Sequence, residues 1–260
     1  MVVGAGSIGP GWGNGKATAV LFAREGARVF CIDINEQAAQ ETVDLIRGEG
    51  GEAEACCADA SNAADVERAV GLCVERFGGV DVLDNNVGIA EFGGVVDLPE
   101  ADWDRVFAVN VKSCFLTMKH VIPVMLRAGG GAIVNISSIT SIRDIGVAFV
   151  AYNASKAAVN HLTRATAVQY ASQRIRVNAV LPGLMRTPIV EVAFDQMRSG
   201  YDDAADVDAM WRARDAQVPM GHMGDAWDVA HTALFLACDE SRYVTGVALP
   251  VDGGITLKSA

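Results

Sequence analysis

The fold is decided at the start of the chain, which reads Met1-Val-Val-Gly4-Ala-Gly6-Ser-Ile-Gly9-Pro10-Gly11-Trp12-Gly13-Asn14-Gly15-Lys16. An apolar run followed by a glycine-rich turn and a helical pattern is typical of a dinucleotide-binding βα unit. Residues 4, 6 and 9 match G-x-G-x-x-G, in which the helix begins at the third glycine. By itself this match is weak.

The helix is expected to begin later than that motif requires. Proline and glycine residues at positions 10–13 disfavour a regular helix there, so we place its start at Asn14 or Gly15. Gly4, Gly13 and Gly15 then become the working glycines of an enlarged loop. Their backbone N–H groups can approach a pyrophosphate at the amino end of the helix.

Beyond the loop, short apolar segments alternate with helical patterns. The predicted strands are 28–32, 53–57, 80–84, 132–136, 176–181 and 247–251, and the predicted helices are 15–25, 36–49, 63–77, 103–127, 152–172 and 225–238. The strands are continuously apolar, as in a parallel sheet that is covered on both faces. The sequence therefore predicts an α/β protein with a doubly wound parallel sheet, the Rossmann fold, in one domain spanning 1–260.

The segment 184–218 interrupts this alternation and contains a cluster of aspartates at Asp202, Asp203, Asp206 and Asp208. Open α/β sheets bind ligands beyond the carboxyl ends of their strands, so we interpret the segment as a substrate lid. The alternative is a solvated surface excursion.

Composition excludes several classes of function. The 260 residues carry a net charge of −11, which disfavours nucleic acid and anionic membranes as partners. Six cysteines without C-x-x-C spacing and four histidines without ligand spacing predict free thiols and no metal site. Since we find neither a signal peptide nor an apolar run of membrane-spanning length, we expect a cytoplasmic protein. The first strand is short, and we expect that the natural chain starts earlier.

Asp33 ends the second predicted strand. A carboxylate there can bind the hydroxyls of an adenosine ribose and would repel a 2′-phosphate, which favours NAD over NADP. Alternatively, Asp33 caps the helix that begins near Asn35.

Tyr152 and Lys156 lie four residues apart in a helical pattern and thus on one face of the helix. An ammonium group within a few ångströms of a phenol lowers the pKa of the phenol, so we expect Lys156 to make Tyr152 a general acid/base for an alcohol or carbonyl oxygen. Ser138, at the end of a strand, can hydrogen-bond the same oxygen.

From end to end the chain resembles a compact, single-domain short-chain dehydrogenase/reductase. The resemblance is carried by the glycine turn, Asp33, Asp59-Ala60, Asn85-Asn86-Val87-Gly88, Asn110, Ser138, Tyr152, Lys156, Pro182-Gly183, Thr187 and Val251-Asp-Gly-Gly254, which occur in the family's order. It implies that Tyr152 exchanges the proton and that Lys156 lowers its pKa and binds the nicotinamide ribose. It further implies that Ser138 positions the substrate oxygen.

The same resemblance assigns residues around the cofactor. Asn110 would hold a water linked to Lys156; the remaining implied cofactor contacts are Asp59, Ala60, Asn86, Gly88, Gly183, Met185 and Thr187. Each residue also has a structural interpretation. Asn110 can bond the backbone locally, Asn85-Asn86 can form a strand-ending turn, and Ser138 can cap a helix.

These residues predict an NAD-dependent oxidoreductase that interconverts a secondary alcohol and a ketone. The alternatives are an NADPH-dependent 3-ketoacyl-carrier-protein reductase and a non-catalytic NAD(H)-binding sensor. The acidic lid, whose basic residues are Arg186, Arg198, Arg212 and Arg214, favours a small neutral hydroxylated substrate. Arg143 and Asp144 are expected either to reach the substrate or to pair with each other. The helices 103–127 and 152–172 resemble those of family dimers and tetramers, so we expect a homo-oligomer.

Overall fold

A computed structural model describes residues 1–190, 192 and 207–258. Its strands are β1 (Val2–Val3), β2 (Val29–Asp33), β3 (Ala53–Cys57), β4 (Val82–Asn85), β5 (Gly131–Ile136), β6 (Ile175–Pro182), β7 (Met185–Arg186), β8 (Gly224–Asp225) and β9 (Ala248–Val251). Seven of them form a parallel sheet in the order β3-β2-β1-β4-β5-β6-β9, and β7 pairs with β8. The predicted doubly wound parallel sheet is confirmed.

The helices are α1 (Asn14–Arg24), α2 (Glu36–Gly48), α3 (Ala63–Phe77), α4 (Glu100–Phe107), α5 (Ser113–Ala128), α6 (Val150–Tyr170), α7 (Val207–Asp215) and α8 (Ala226–Ala237). The single helix predicted over 103–127 is wrong, because a π-helical turn at Ala108–Lys112 separates α4 from α5. Apolar periodicity does not reveal such a turn, since the side chains on both sides of it remain buried on one face. None of the described helices is long and apolar enough to cross a bilayer.

Helices cover both faces of the sheet. One face packs against α1, α2 and α8 through residues such as Val20, Ile46 and Val229. The other packs against α3, α5 and α6 through residues such as Val70 and Val121. Burial on both faces explains why the strands are continuously apolar, and it leaves only the strand ends free to bind ligands.

The glycine loop has the predicted form. Helix α1 begins at Asn14 with Gly13 as its N-cap. A Cβ on Gly15 would lie 1.8 Å from the carbonyl oxygen of Gly4, and Gly4 itself has φ +80°. The strand and the helix therefore approach each other closely enough to require glycine on both sides.

Trp12 anchors the extra residues of this loop. Its ring lies 4.7 Å from that of Trp227 on α8, centroid to centroid, and the Lys16 ammonium lies 5.7 Å from the Trp12 centroid. Beside it, a Cβ on Gly11 would lie 3.5 Å from the Pro188 ring. The loop thus packs between α8 and the start of the 184–218 segment.

The buried Asp84 on β4 is expected to make the free energy of unfolding depend on pH. It is fully buried; Oδ1 accepts from Asn86 Nδ2, and Oδ2 has no partner among the described residues. Burial raises the pKa of Asp84 from 3.8 to about 7, against the lowering effect of the Asn86 hydrogen bond. Between these values the folded protein holds a proton that the unfolded chain releases, so the free energy of unfolding falls as the pH rises through that window.

A difference of one in pKa is worth about 1.4 kcal/mol, so the loss is of the order of 4 kcal/mol. Asp84→Asn should remove it, as measured by urea unfolding at intervals from about pH 4 to about pH 8. The control is Asp81→Asn, which removes an exposed carboxylate just before the same strand. An unchanged pH slope in Asp84→Asn would contradict the prediction.

Candidate active site

Helix α6 carries the tyrosine and lysine that the sequence singled out. Lys156 is buried, Tyr152 is half-buried, and the Lys156 Nζ lies 5.6 Å from the Tyr152 ring centroid. The Ser138 side chain is within hydrogen-bonding reach of the phenol, which lowers the phenol's pKa, although burial raises it more. All three predicted side chains therefore meet at one end of the sheet.

The Tyr152 pKa corrects one expectation. In this arrangement the pKa of Tyr152 is raised, because burial disfavours the phenolate and Lys156 is not among its causes. Lys156 Nζ instead donates to the Ile136 carbonyl at 2.9 Å. In this arrangement the ammonium, which donates to a backbone carbonyl, does not lower the Tyr152 pKa, contrary to the expectation from the sequence.

Lys156 lies at the floor of the site. Burial lowers its pKa to about 8, which leaves the ammonium mostly charged at neutral pH. A Cβ on Gly88 would lie 3.0 Å from its Nζ and 3.7 Å from Asn110 Oδ1. A larger residue at position 88 would therefore press on the Lys156 ammonium, whereas its contact with Asn110 would be an ordinary one.

Asn110 sits in the π-helical turn. Its Oδ1 accepts from the Ile89 N–H at 2.8 Å, and its Nδ2 donates to the Ile89 carbonyl and to Ser155 Oγ, each at 2.9 Å. Ser155 Oγ in turn donates to the Tyr152 carbonyl at 2.7 Å. Asn110 thus connects the strand-end loop to the catalytic helix, and its role toward a water stays a prediction.

A buried polar network fixes α6 against the sheet, and sequence reasoning missed it. Asn85 Nδ2 donates to Asn135 Oδ1 at 2.8 Å, and Asn135 Nδ2 donates to Thr163 Oγ1 at 2.9 Å. Thr117 Oγ1 completes the chain by donating to Asn85 Oδ1. The signal was available, because asparagine inside an apolar strand requires a buried partner.

A cavity of 330 Å³ is lined by Ser138, Tyr152 and Lys156, together with several of the other predicted site residues. The predicted residues that line it are Asn14, Asn86, Gly88, Ser138, Tyr152, Lys156, Gly183, Met185 and Thr187. Asn110 lies behind this lining. Gly4, Gly13, Gly15, Asp33, Asp59 and Ala60 lie outside it, along the neighbouring strand ends.

These outer residues fit a dinucleotide. The amino end of α1 has no side-chain cap, Asn14 Oδ1 is buried without a partner among the described residues, and the glycines bring backbone close to that end. Asp33 accepts from the Gly6 N–H at 2.9 Å and from the Asn35 N–H at 3.0 Å. Its carboxylate is thus held at the end of β2, while Asn35 caps α2.

Three more of the predicted cofactor residues, Asp59, Gly183 and Thr187, lie in ordered or closely packed surroundings. Asp59 Oδ1 accepts from the Ser61 N–H and hydroxyl, at 2.8 and 2.7 Å, which orders the turn after β3. A Cβ on Gly183 would lie 2.7 Å from Asp252 Cα, so β6 and β9 end in close contact. Thr187 is buried two residues after Met185 in β7.

Several described residues of the 184–218 segment border the cavity. Ile189 and Val190 line one wall, and Met210 and Arg214 of α7 line another. Of the aspartates in the lid prediction, Asp202, Asp203 and Asp206 lie outside the described residues. Closure of the segment over a substrate stays a prediction.

Arg143 and Asp144 do neither of the things expected of them. Arg143 Nη1 donates to the Ile255 carbonyl at 2.7 Å, and Asp144 Oδ1 accepts from the Gly146 N–H at 2.9 Å. Asp144 thus orders the backbone of its own loop, whereas Arg143 ties that loop to the Ile255–Leu257 turn. Neither is part of the cavity lining.

Known proteins resemble this chain along nearly all of its length. The family model described as Enoyl-(Acyl carrier protein) reductase matches residues 9–256. A Burkholderia xenovorans structure assigned to the short-chain dehydrogenases/reductases has a TM-score of 0.93 and 46% identity, covering 100% of this chain and 96% of that one.

Two characterised types of enzyme are among the relatives. The 2,5-dichloro-2,5-cyclohexadiene-1,4-diol dehydrogenase LinX of Sphingobium indicum is 39% identical over 243 residues, covering 93% of this chain and 91% of the relative. The 3-oxoacyl-(acyl-carrier-protein) reductase FabG of Thermotoga maritima is 35% identical over 257 residues, covering 99% and 97%.

Proposed function

Because the chain belongs to the short-chain dehydrogenase/reductase family, we propose that it is an NAD-dependent oxidoreductase that interconverts a secondary alcohol and a ketone. The observation that carries this proposal is the convergence of the Tyr152 phenol, the Ser138 side chain and the Lys156 ammonium on one cavity. A phenol beside a hydroxyl can exchange a proton with a substrate oxygen.

The mechanism assigns one task to each side chain. When bound, the nicotinamide ring supplies the hydride acceptor. Ser138 holds the substrate hydroxyl, and Tyr152 as phenolate takes its proton while the hydride leaves the carbinol carbon. In the reverse direction Tyr152 donates the proton to the carbonyl oxygen. Lys156, charged at neutral pH and 5.6 Å from the centroid of the Tyr152 ring, would hold the nicotinamide ribose beside the phenol.

The other proposed cofactor residues surround this centre. Gly4, Gly13, Asn14 and Gly15 would hold the pyrophosphate, and Asp33 the adenosine ribose. Around the adenosine would lie Asp59, Ala60, Asn86 and Gly88. Met185 and Thr187 would hold the carboxamide and Gly183 would contact the cofactor next to them; all three line the cavity. Asn110 would support Lys156 through the Ile89 loop.

Asp33 provides the test of cofactor choice. Wild type should reduce NAD in preference to NADP with a panel of secondary alcohols, measured by the absorbance of the reduced nicotinamide. Asp33→Ala should shift the ratio of kcat/KM for NADP over NAD upward by about tenfold to a hundredfold, because a charged ribose contact and a repulsion are lost together.

Two variants separate charge from loop structure. Asp33→Asn still accepts from the Gly6 N–H but lacks the charge, so it should also relax the preference. Glu36→Ala removes an exposed carboxylate nearby and should leave the ratio unchanged. A wild-type preference for NADP would overturn the proposal of NAD.

The NADPH-dependent 3-ketoacyl-carrier-protein reductase remains the second candidate. The FabG relative favours it, whereas Asp33 and the net charge of −11 oppose a 2′-phosphate and an acidic carrier. The sensor alternative is disfavoured because the cavity keeps all three reactive side chains.

Three expectations about the protein's surroundings stay predictions. The chain is proposed to form a homo-oligomer, and its free cysteines suit the reducing cytoplasm. The third expectation is a small neutral hydroxylated substrate. The presence of Arg214 in the cavity lining disfavours it.

A further inference from the structure

Arg214 lines the cavity and has no task in the proposed mechanism. It belongs to the last turn of α7, four residues after Met210, so both side chains face the cavity. Its Nε is buried and has no hydrogen-bond partner among the described residues. A buried guanidinium N–H without an acceptor is costly, so it requires an explanation such as a catalytic or binding role, or a bound ion or water.

The charges around Arg214 are unbalanced. Arg214 and Lys156 line the cavity, and no Asp or Glu of the described chain does. The neighbouring carboxylate, Asp215, is turned away and accepts from the Met223 N–H at 2.8 Å. Burial lowers the pKa of the Arg214 guanidinium, which nevertheless stays charged at neutral pH. Among the described residues, the charged side chains that line the cavity are therefore both positive, although the net charge of the protein is −11.

Most of the other side chains that line the cavity are apolar. Phe92, Ile145, Phe149 and Ile189 contribute to its walls, and Phe92 packs on Phe149 with centroids 4.6 Å apart. A ligand that suits this lining has an apolar body between two polar ends. One end is the oxygen that reacts at Tyr152, and the other faces Arg214.

We propose that Arg214 binds a carboxylate of the substrate, so that the enzyme acts on hydroxy acids and the corresponding oxo acids. This inference rests on the proposed dehydrogenase function. A guanidinium can hold a carboxylate through two parallel hydrogen bonds, which would fix the orientation of the carbinol carbon. Arg214 is thus a specificity-determining residue, and the neutral substrate expected from the acidic lid is replaced by an anionic one.

The test compares acids with their neutral amides. The probes are β-hydroxybutyrate, γ-hydroxyvalerate and δ-hydroxycaproate, each beside its primary amide, with the purified full chain and NAD. For at least one pair the wild type should show kcat/KM for the acid at least about tenfold above that for the amide. Arg214→Gln should abolish this preference, mainly through KM of the acid. The exposed Arg242→Gln should retain it.

Binding separates this inference from the function on which it rests. Calorimetry with the NAD-loaded Tyr152→Phe variant should detect the acid, and the added Arg214→Gln change should weaken that binding by about tenfold or more. Oxidation of the alcohols without preference for the acids would overturn the inference and leave the dehydrogenase function standing. Arg214-dependent binding of the acids with no turnover of any probe would overturn the function and support the anion site.

Discussion

Tyr152→Phe is expected to lower kcat for alcohol oxidation by about three orders of magnitude, within the range that positioned acid–base groups contribute. The substitution removes only the phenol oxygen. The ring keeps its edge-to-face contact with Phe149, at 5.9 Å between centroids, and α6 keeps its polar network. Binding of NADH, followed by its fluorescence, and the melting temperature should therefore stay close to wild type.

The matched control is Tyr243→Phe, which removes a phenol oxygen from a fully exposed residue and should leave kcat unchanged. Turnover by Tyr152→Phe at the wild-type rate would show that another group carries the proton. Loss of NADH binding in the same variant would mean that the tyrosine is needed for cofactor binding rather than for proton transfer.

Gly15→Ala is the second change with a large expected effect. Its new Cβ would lie 1.8 Å from the Gly4 carbonyl oxygen, a backbone atom that a rotamer change cannot move. The strand and α1 must separate, which costs about 1–3 kcal/mol or more as overpacking does. It also displaces the N–H groups proposed to bind the pyrophosphate, so we expect the Kd for NAD to rise at least about a hundredfold and the melting temperature to fall by several degrees.

Gly71→Ala is the control for the same chemical change. Gly71 lies in the middle of α3, and a Cβ there would meet no atom within 4 Å. Alanine should stabilise the protein by about 0.5–1 kcal/mol, because glycine is unfavourable inside a helix, and should not alter the Kd for NAD. Wild-type NAD affinity in Gly15→Ala would show that the close approach of Gly4 and Gly15 does not form the pyrophosphate site.

The helix start at Asn14 shows what local sequence can predict. Proline and glycine restrict the backbone within a few residues, so the delayed start of α1 followed from positions 10–13 alone. The strands predicted the parallel sheet for a similar reason, since an uninterrupted run of apolar residues indicates that both faces of the strand are buried. The π-helical turn at Asn110 was missed because it is stabilised by contacts with Ile89 and Ser155, which are distant in the chain.

The amino-acid sequence by itself determined the fold, the start of the helix after the glycine loop and the side chains proposed to react, because these depend on short-range backbone preferences and on residue type. Only the tertiary structure decided the electrostatics. It placed Lys156 against the Ile136 carbonyl, tied Arg143 in the loop after β5 to the Ile255 carbonyl, and left the buried Nε of Arg214 without a partner among the described residues. The free energy of a charge depends on burial and on neighbours brought together from distant segments, and no local pattern contains that information.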